Sequence, residues 1–575
     1  MNKVIGRVII SKDRPAKPSE FWFTIRNHCE EVEIGSYVVA EDDRHKIIGV
    51  VEDEDYFAMT ESPSQYFTEE MATSMGSPPT SPTIIRIGKA RVVAREPPLN
   101  IPPGDRWRVR FISSNDVQVL HKNIPENKRI LAGFIRGGSW IPIYYHADFL
   151  LGPEAAHVNI SGKTGLAVKT SYAVFLAYAV LSWAIKNKEP TAVVMFNVKR
   201  GDLMRLHKLP KDVDDAKAKI EQWAEKVGLS DKADIYKVLW NEAYNLGINP
   251  YNIRIKYFTY PTDPYQCLLE GADYQYYSYG LGDLTKEELI ASLYRPEEEV
   301  PETQINLIYR YLSRAIDAAR RNKITLTFDT MRSHMEQYAK FSAREVFEAY
   351  RTPQNQRSRR QQYIVNKFHA PQLDNWHERV AGAVFRRLDG FLSRAGHIVK
   401  RRSPSGNPIK FSAIEPYTIH VVQLYGLTDA EKRLVVNALL RELSDGLKEE
   451  ATKESPRIKR ILTLIDEMNL YAPRRASPIK EQIIDITARG RDLCHSLVGI
   501  QQFASQIDAQ VYGNCSTKVV GNSDLVEVRS DIYRYLGKFR DLVPLLDKGM
   551  LITYHPTYTS PIPIIFPVPL YQVTL

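Results

Sequence analysis

Four stretches of this chain hold residue types at spacings suited to phosphate chemistry. The first is Gly162-Lys163-Thr164-Gly165-Leu166-Ala167-Val168-Lys169-Thr170, followed by Ser171. A glycine-containing turn at a helix N-terminus can aim backbone N–H groups at phosphate oxygens. A lysine there can reach the β and γ phosphates, and a hydroxyl can hold Mg²⁺. The spacing departs from the usual GxxxxGK[ST] form: one extra residue separates Gly162 from Lys169, and Val168 replaces the second glycine. A Gly-rich strand-to-helix turn with an exposed lysine is the plain alternative. The second stretch, ILTLIDE, ends an apolar run on Asp466 and Glu467. One carboxylate can support Mg²⁺ and the next can polarise an attacking water. The third, SLVGIQQ, ends on Gln501 and Gln502, amides that can touch a γ-phosphate or a water. The fourth, ARGRD, carries Arg489 and Arg491. An arginine supplied across a subunit boundary can stabilise charge on a transferring phosphoryl group. Cations favourably placed at a helix C-terminus are the structural alternative.

These residues need elements to hold them. HVNIS (157–161) reads as a short buried strand running through the glycine loop into an amphipathic helix. AVVMFNVK (192–199) and IRIKYFTYP (253–261) are further strands with helical sequence between them. Strand, helix, strand predicts a doubly wound α/β sheet, in which ligands bind at the carboxyl ends of strands. The pattern pauses over 262–416, a mostly helical and polar stretch. It returns with YTIHVVQL (417–424), RILTLIDE (460–467) and SLVGIQQ (496–502). The first 150 residues read as β, with short apolar runs at 4–10, 21–25, 37–40, 47–52, 84–94 and 107–112. Such a series predicts a small barrel or sandwich. The Ser-, Thr- and Pro-rich stretch 60–82 reads as a mobile loop.

Composition narrows the class. The 575 residues include 77 Lys+Arg against 68 Asp+Glu, and 43% are hydrophobic, which excludes collagenous and fully disordered chains. Cys29, Cys267, Cys494 and Cys515 are far apart with no CxxC pair, which argues against a zinc ribbon or a disulfide framework. No signal peptide is read at the N-terminus. The longest apolar stretch, 172–185, is shorter than a bilayer-spanning helix. A cytoplasmic protein with no membrane segment is the expectation. The net charge of +9 is weak as an average, but 351–363 concentrates Arg351, Arg357, Arg359 and Arg360 without an acid, and 400–402 is Lys-Arg-Arg. Arg357, Arg359 and Arg360 are candidates for DNA contact, with ordinary solvated helix faces as the alternative.

DFLLGPEAAHVNISGKTGLAVKTSYAVFLAY resembles the phosphate-loop region of HerA-type ATPases, in the HerA/FtsK branch of P-loop motors. Bacterial members of this group often carry a comparable Gly-Leu-Ala-x-Lys-Thr loop. FNVKRGDL (196–203) is similar to the family's next motif, with Arg200-Gly201 where Gly-Glu is expected and Asp202 following. LIDEMNLYAP resembles its Walker B segment. RGRDLCHSLVGIQQFASQID resembles the segment carrying a trans-acting arginine, here Arg491, and a sensor glutamine, here Gln502.

The resemblance implies a P-loop, RecA-like ATPase core behind a HAS-barrel-like N-terminal barrel, divided as barrel (1–150), first core part (151–261), helical insertion (262–416), second core part (417–550) and a C-terminal arm bracing a neighbouring subunit (551–575). It implies ATP and Mg²⁺ as cofactors. The phosphate loop, Gly162 and Thr164 through Ser171, binds nucleotide; Thr170 and Asp466 hold the metal; and Glu467, Arg491 and Gln502 serve catalysis. The implied assembly is a homo-oligomer, a hexameric ring, that binds and translocates double-stranded DNA. A nuclease or sirtuin-like NAD-consuming effector would dock on the barrel, in anti-phage defence or DNA end processing. The alternative is a nucleotide-switched scaffold that activates an effector without moving DNA.

Overall fold

The computed structural model describes residues 4–26, 32–58, 84–137, 139–163, 169–294, 325–367, 378–474 and 480–573, with isolated positions between 306 and 323. Six strands close the N-terminal barrel: β1 (Val4–Ile9), β2 (Glu20–Ile25), β3 (Tyr37–Glu41), β4 (Lys46–Ala58), β5 (Ile84–Glu96) and β6 (Arg108–Phe111), ordered β1-β2-β5-β4-β3-β6. Ile5, Val8, Phe21, Phe23, Val38, Val51 and Val109 fill its interior. That interior is narrow. A Cβ on Gly88 would stand 2.7 Å from the Phe23 ring, and one on Gly49 would stand 2.9 Å from Phe21. Bulges in β4 opposite β5, at Ile48/Gly49 and Val51/Asp53, bend these two long strands enough to close the barrel. The predicted strands are therefore present. The loop predicted over 60–82 lies outside the described residues.

The barrel ends at Phe111, earlier than the boundary at 150 read from sequence. The next strands, β7 (Arg129–Arg136) and β8 (Trp140–His146), belong to the large sheet. From there the chain lays down β9 (Val158–Ser161), α1 (Lys169–Asn187), β10 (Thr191–Asn197), α2 (Val213–Lys226), α3 (Ala233–Asn245), β11 (Arg254–Thr259) and β12 (Asp273–Tyr276). Helices α4 (Lys286–Leu293), α5 (Phe328–Lys340), α6 (Ala343–Arg351), α7 (Arg359–Lys367) and α8 (Glu378–Leu392) form the insertion. The core resumes with β13 (Thr418–Gln423), α9 (Asp429–Glu450), β14 (Arg460–Asp466), α10 (Lys480–Arg489), β15 (His495–Gln501), β16 (Thr517–Val520), β17 (Met550–Tyr554) and β18 (Ile562–Ile565).

Among the described residues the sheet has twelve strands, ordered β12-β11-β13-β10-β14-β15-β9-β16-β17-β18-β7-β8. The run from β12 to β16 is parallel, and the remaining four strands are antiparallel. This is an α/β core with a parallel central run, as the strand, helix, strand pattern predicts. Its central strands, TAVVMFN, TIHVVQ, RILTLID and HSLVGIQ, are buried at every position. That explains why they read as continuous apolar runs rather than alternating ones: helices cover both faces of a parallel sheet. The stretch 262–416, read from sequence as a helical insertion, also contributes an edge strand, β12, beside β11. Among the described residues, no helix is long and apolar enough to cross a membrane.

Residues 551–575, read from sequence as an arm for a neighbouring subunit, lie on their own chain as far as they are described. Most of β17 and all of β18 pair within the sheet, and Val568 and Leu570 pack in a cluster with Ala216, Ile220, Tyr236 and Trp240 of α2 and α3.

Among the described residues, five histidines are sealed inside. Burial lowers the pKa of His121, His157 and His420 to about 4, and of His495 and His555 to about 3. They stay neutral in the fold, and several are hydrogen-bonded in that state. The His157 Nδ1 accepts from Leu497 N–H at 3.0 Å, and the His420 Nε2 accepts from Glu415 N–H at 3.0 Å. An unfolded histidine titrates near 6.5, so below that pH the unfolded chain binds protons the folded chain refuses. Stability should therefore fall as pH drops from about 6.5 towards 4, by up to about 1.4 kcal/mol per histidine per pH unit. Melting temperatures at pH 7 and pH 5 check this; an equal or higher value at pH 5 contradicts it.

Candidate nucleotide site

Strand pairing puts the chemistry in one place. In the parallel ladders Asp466 of β14 stands beside Ile500 of β15, and Gln501 of β15 stands beside Ser161 of β9. Three carboxyl ends thus align, and the chain leaving each carries a functional group. At β9 the exit is stapled down: Gly521 N–H donates to Ser161 O at 2.8 Å, and Lys163 N–H donates to Asn522 O at 2.6 Å. Gly162, at φ 154°, permits this approach, because a Cβ there would stand 3.2 Å from the Asn522 carbonyl. Residues Thr164, Gly165, Leu166, Ala167 and Val168 lie outside the described residues.

Helix α1 opens on Lys169 and Thr170 and is buried along most of its length. The Tyr172 hydroxyl fixes it, donating to Ala132 O at 3.0 Å and lying 2.9 Å from the Tyr145 hydroxyl. Thr170 Oγ1 donates to Asp466 Oδ2 at 3.2 Å. Lys169, 5% exposed, borders a cavity of about 290 Å³ with Lys199, Asp466, Glu467, Asn469, Gln501 and Gln502. Burial, then repulsion from Lys199, lowers the Lys169 pKa to about 8, against the pull of Asp466 and Glu467. Among the described residues this ammonium makes no ion pair of its own, and a phosphate would supply one.

Glu467 turns the chain. Its backbone is left-handed, φ 57° and ψ 46°, a conformation that costs a non-glycine residue on the order of 1–2 kcal/mol. Its N–H donates to Asp466 Oδ1 at 2.9 Å, which holds the neighbouring carboxylate in position. Strain of this kind gathers where function needs it. Gln501 is 1% exposed; its Nε2 donates to Asn159 Oδ1 at 2.7 Å, while its Oε1 has no partner among the described residues. Gln502, the sensor expected from sequence, borders the same cavity.

Lys199 was not singled out from sequence, although it closes the AVVMFNVK strand run. Its Nζ reaches Asp466 Oδ2 at 2.6 Å. One carboxylate oxygen thus meets a threonine hydroxyl and an ammonium, so the position already accepts a cation beside a hard oxygen donor. Thr170 and Asp466 fit Mg²⁺, which keeps several waters and takes few protein ligands plus phosphate oxygens. Among the described residues, no group of three His, Cys, Asp or Glu gathers elsewhere to hold a metal.

Other expected residues lie apart. Ser171 does not line the nucleotide cavity: two residues on from Lys169, a helix has turned about 200°. Its hydroxyl instead accepts from Gln572 Nε2 at 2.6 Å. Arg491 precedes β15 at the amino end of the sheet, roughly 20 Å of strand from Gln501. It pairs with adjacent Asp492 at 3.5 Å, and Arg489 pairs with Asp485 at 3.3 Å. Neither reaches the cavity of its own chain. The candidate DNA residues are partly satisfied as well. Arg360 pairs with Glu345 at 2.8 Å and stacks over Phe341, Arg357 donates to Thr352 O at 2.9 Å, and Arg359 is exposed. In the second patch, Asp329 pairs with Arg401 at 2.8 Å and with Arg402 at 3.8 Å.

No family model matches the chain, and no curated protein does. Among solved structures, the plasmid coupling protein TrwB in complex with the ATP analogue ADPNP aligns at 11% identity over 80% of this chain and 93% of that one, with a TM-score of 0.45. VirB4 of Thermoanaerobacter pseudethanolicus aligns at 13% identity over 79% of this chain and 100% of that one, with a TM-score of 0.43. The genome packaging NTPase B204 from Sulfolobus turreted icosahedral virus 2 aligns at 14% identity over 24% and 62%, with a TM-score of 0.19. Likenesses this distant carry no residue-level argument.

A metal ion held by Thr170 and Asp466 would compete with Lys199 for one oxygen of Asp466. Lys199→Met should therefore lower the Mg²⁺ concentration needed for half-maximal nucleotide binding by about two- to fivefold, the range of a partly exposed ion pair. A Mg²⁺ titration of nucleotide binding measures this; a higher requirement in the variant would show that Lys199 supports the metal site instead.

Proposed function

We propose that this chain is a Mg²⁺-dependent ATPase whose subunits assemble as a ring and act on double-stranded DNA. One observation carries the hydrolytic part: Lys169, Thr170, Asp466, Glu467 and Gln501 converge at the carboxyl ends of adjacent parallel strands. Lys169 offers a charge for the β and γ phosphates. Thr170 and Asp466 would hold Mg²⁺, which supplies charge neutralisation on the phosphates. Glu467 would orient and deprotonate the attacking water, and the Gln501 amide oxygen, which has no partner among the described residues, would be a second acceptor for it.

The ring rests on a narrower base. Arg491 lies too far from its own cavity to act there. A role on the phosphoryl group therefore requires a neighbouring subunit. The similarity in sequence to HerA-type ATPases supports a hexamer, duplex translocation, and a nuclease or NAD-consuming effector docked on the barrel in defence or end processing.

Glu467→Gln keeps the shape of the site but removes the base. It should retain ATP binding while lowering turnover by 10²–10⁴-fold, the usual contribution of general-base catalysis. Nucleotide binding and phosphate release, measured together on the variant, test this. Turnover close to wild type rejects the assignment of Glu467. Mass in solution with and without ATP tests the ring: a stable monomer in both conditions rejects a shared-interface mechanism.

A further inference from the structure

Behind the nucleotide cavity, one buried carboxylate ties together the exits of two strands. Glu527 is 8% exposed and sits in a one-turn helix (Leu525–Val528) that follows β16. Its Oε1 accepts from Ser505 N–H at 3.0 Å, and its Oε2 accepts from Ser505 Oγ at 2.6 Å. Both carboxylate oxygens thus hold a single residue. The hydroxyl of Tyr533, a fully buried residue, lies 3.1 Å from Glu527 Oε1 and 3.2 Å from Ser161 Oγ. One phenolic hydrogen cannot serve both. Donation to the carboxylate leaves the phenolic oxygen to accept from the Ser161 hydroxyl.

Among the described residues Glu527 makes no ion pair. A buried carboxylate without a cation is costly unless hydrogen bonds replace the water it has lost, and here three donors do so. An apolar side chain would fill the same space without that cost, which points to a role in geometry rather than packing. The two ends of the link show what that geometry serves. Ser505 lies in the chain leaving β15, where Gln501, Gln502, Phe503 and Gln506 on either side of it border the nucleotide cavity. Ser161 ends β9 and leads into the phosphate loop. The segment that carries Glu527 also holds the loop's first residues through Gly521 and Asn522. Asn522 is anchored in turn, its Nδ2 donating to Pro544 O at 2.8 Å and to Leu546 O at 3.0 Å. The ladder between β9 and β15 ends at the pair Ser161 and Gln501. Among the described residues no backbone bond joins the two exits beyond that pair. Glu527 and Tyr533 supply the missing connection.

We infer that Glu527 is a positioning residue. Through Ser505 and Tyr533 it sets the turn after β15 against the start of the phosphate loop, so that the Gln501 and Gln502 amides and the loop meet a triphosphate in one fixed geometry. The inference rests on the function proposed above. Glu527 does not line the cavity; it acts through the residues it holds. Fixed orientation of reacting groups favours the transition state over ground-state binding, so its loss reaches turnover before affinity.

The test combines hydrogen exchange of the nucleotide-free full chain with ATP affinity and turnover per bound nucleotide. Glu527→Met fills the space but removes the acceptors. It should speed exchange in peptides covering Ser505 and lower turnover, each about tenfold, with ATP affinity within about twofold of wild type. Glu527→Gln can keep the same links, its carbonyl accepting from Ser505 N–H and its amide donating to Ser505 Oγ, and should restore both readouts. Tyr533→Phe cuts the link to Ser161 and leaves both Ser505 bonds. It should lower turnover without faster exchange at Ser505. If Glu527→Met does not fold, Ser505→Ala, which removes one donor and leaves the acid, takes its place and should lower turnover at unchanged affinity. Wild-type turnover per bound nucleotide in Glu527→Met, or in Ser505→Ala and Tyr533→Phe together, overturns the inference. So does a loss of bound nucleotide with turnover per site unchanged, which marks a merely structural acid. Glu527→Gln behaving like Glu527→Met also overturns it and assigns the role to charge. A wild-type chain that hydrolyses no ATP overturns the proposed function and this inference together, whereas the other outcomes, in a chain that does hydrolyse ATP, overturn the inference alone.

Discussion

The pairing of β9, β15 and β14 is the constraint on which everything else rests. Three parallel strands in this register bring Ser161, Gln501 and Asp466 to one edge of the sheet. A one-residue slip would turn every side chain on the shifted strand to the opposite face. The strands are buried at every position, so the hydrophobic effect fixes their place in the sheet. Internal polar links then distinguish this register from others: Leu497 N–H to His157, Gln501 to Asn159, and Thr463 to His495.

Charge balance at the sheet edge follows from that alignment. Asp466 is 6% exposed and would be costly to bury alone. It receives the Thr170 hydroxyl, the Lys199 ammonium and the Glu467 N–H. Lys169 lies close by without a comparable partner, and the left-handed backbone at Glu467 adds strain.

The same accounting separates the basic surfaces. A run of arginines in sequence says little about the field at the surface, because neighbouring elements bring acids to it. Glu345 reaches Arg360 from α6, and Asp329 reaches Arg401 and Arg402 from α5. Arg386 and Arg394, by contrast, are exposed and pair with no carboxylate among the described residues.

Much of this was legible in the chain itself. The apolar runs ending on Asp466-Glu467 and Gln501-Gln502, and the strand leading to Lys169-Thr170, announce a parallel α/β core, because burial on both faces calls for continuously apolar strands. The six barrel strands are legible for the same reason. Other features depend on pairing between distant segments. Sequence could not show that β7 and β8 leave the barrel for the sheet, that Lys199 lands on Asp466, that Ser171 turns to Gln572, or that Arg360 meets Glu345. Local pattern encodes which residues are buried and on what period; it does not encode which partner, hundreds of residues away, meets them. Burial pattern was therefore the sequence's to determine, and charge compensation was decided only by the tertiary fold.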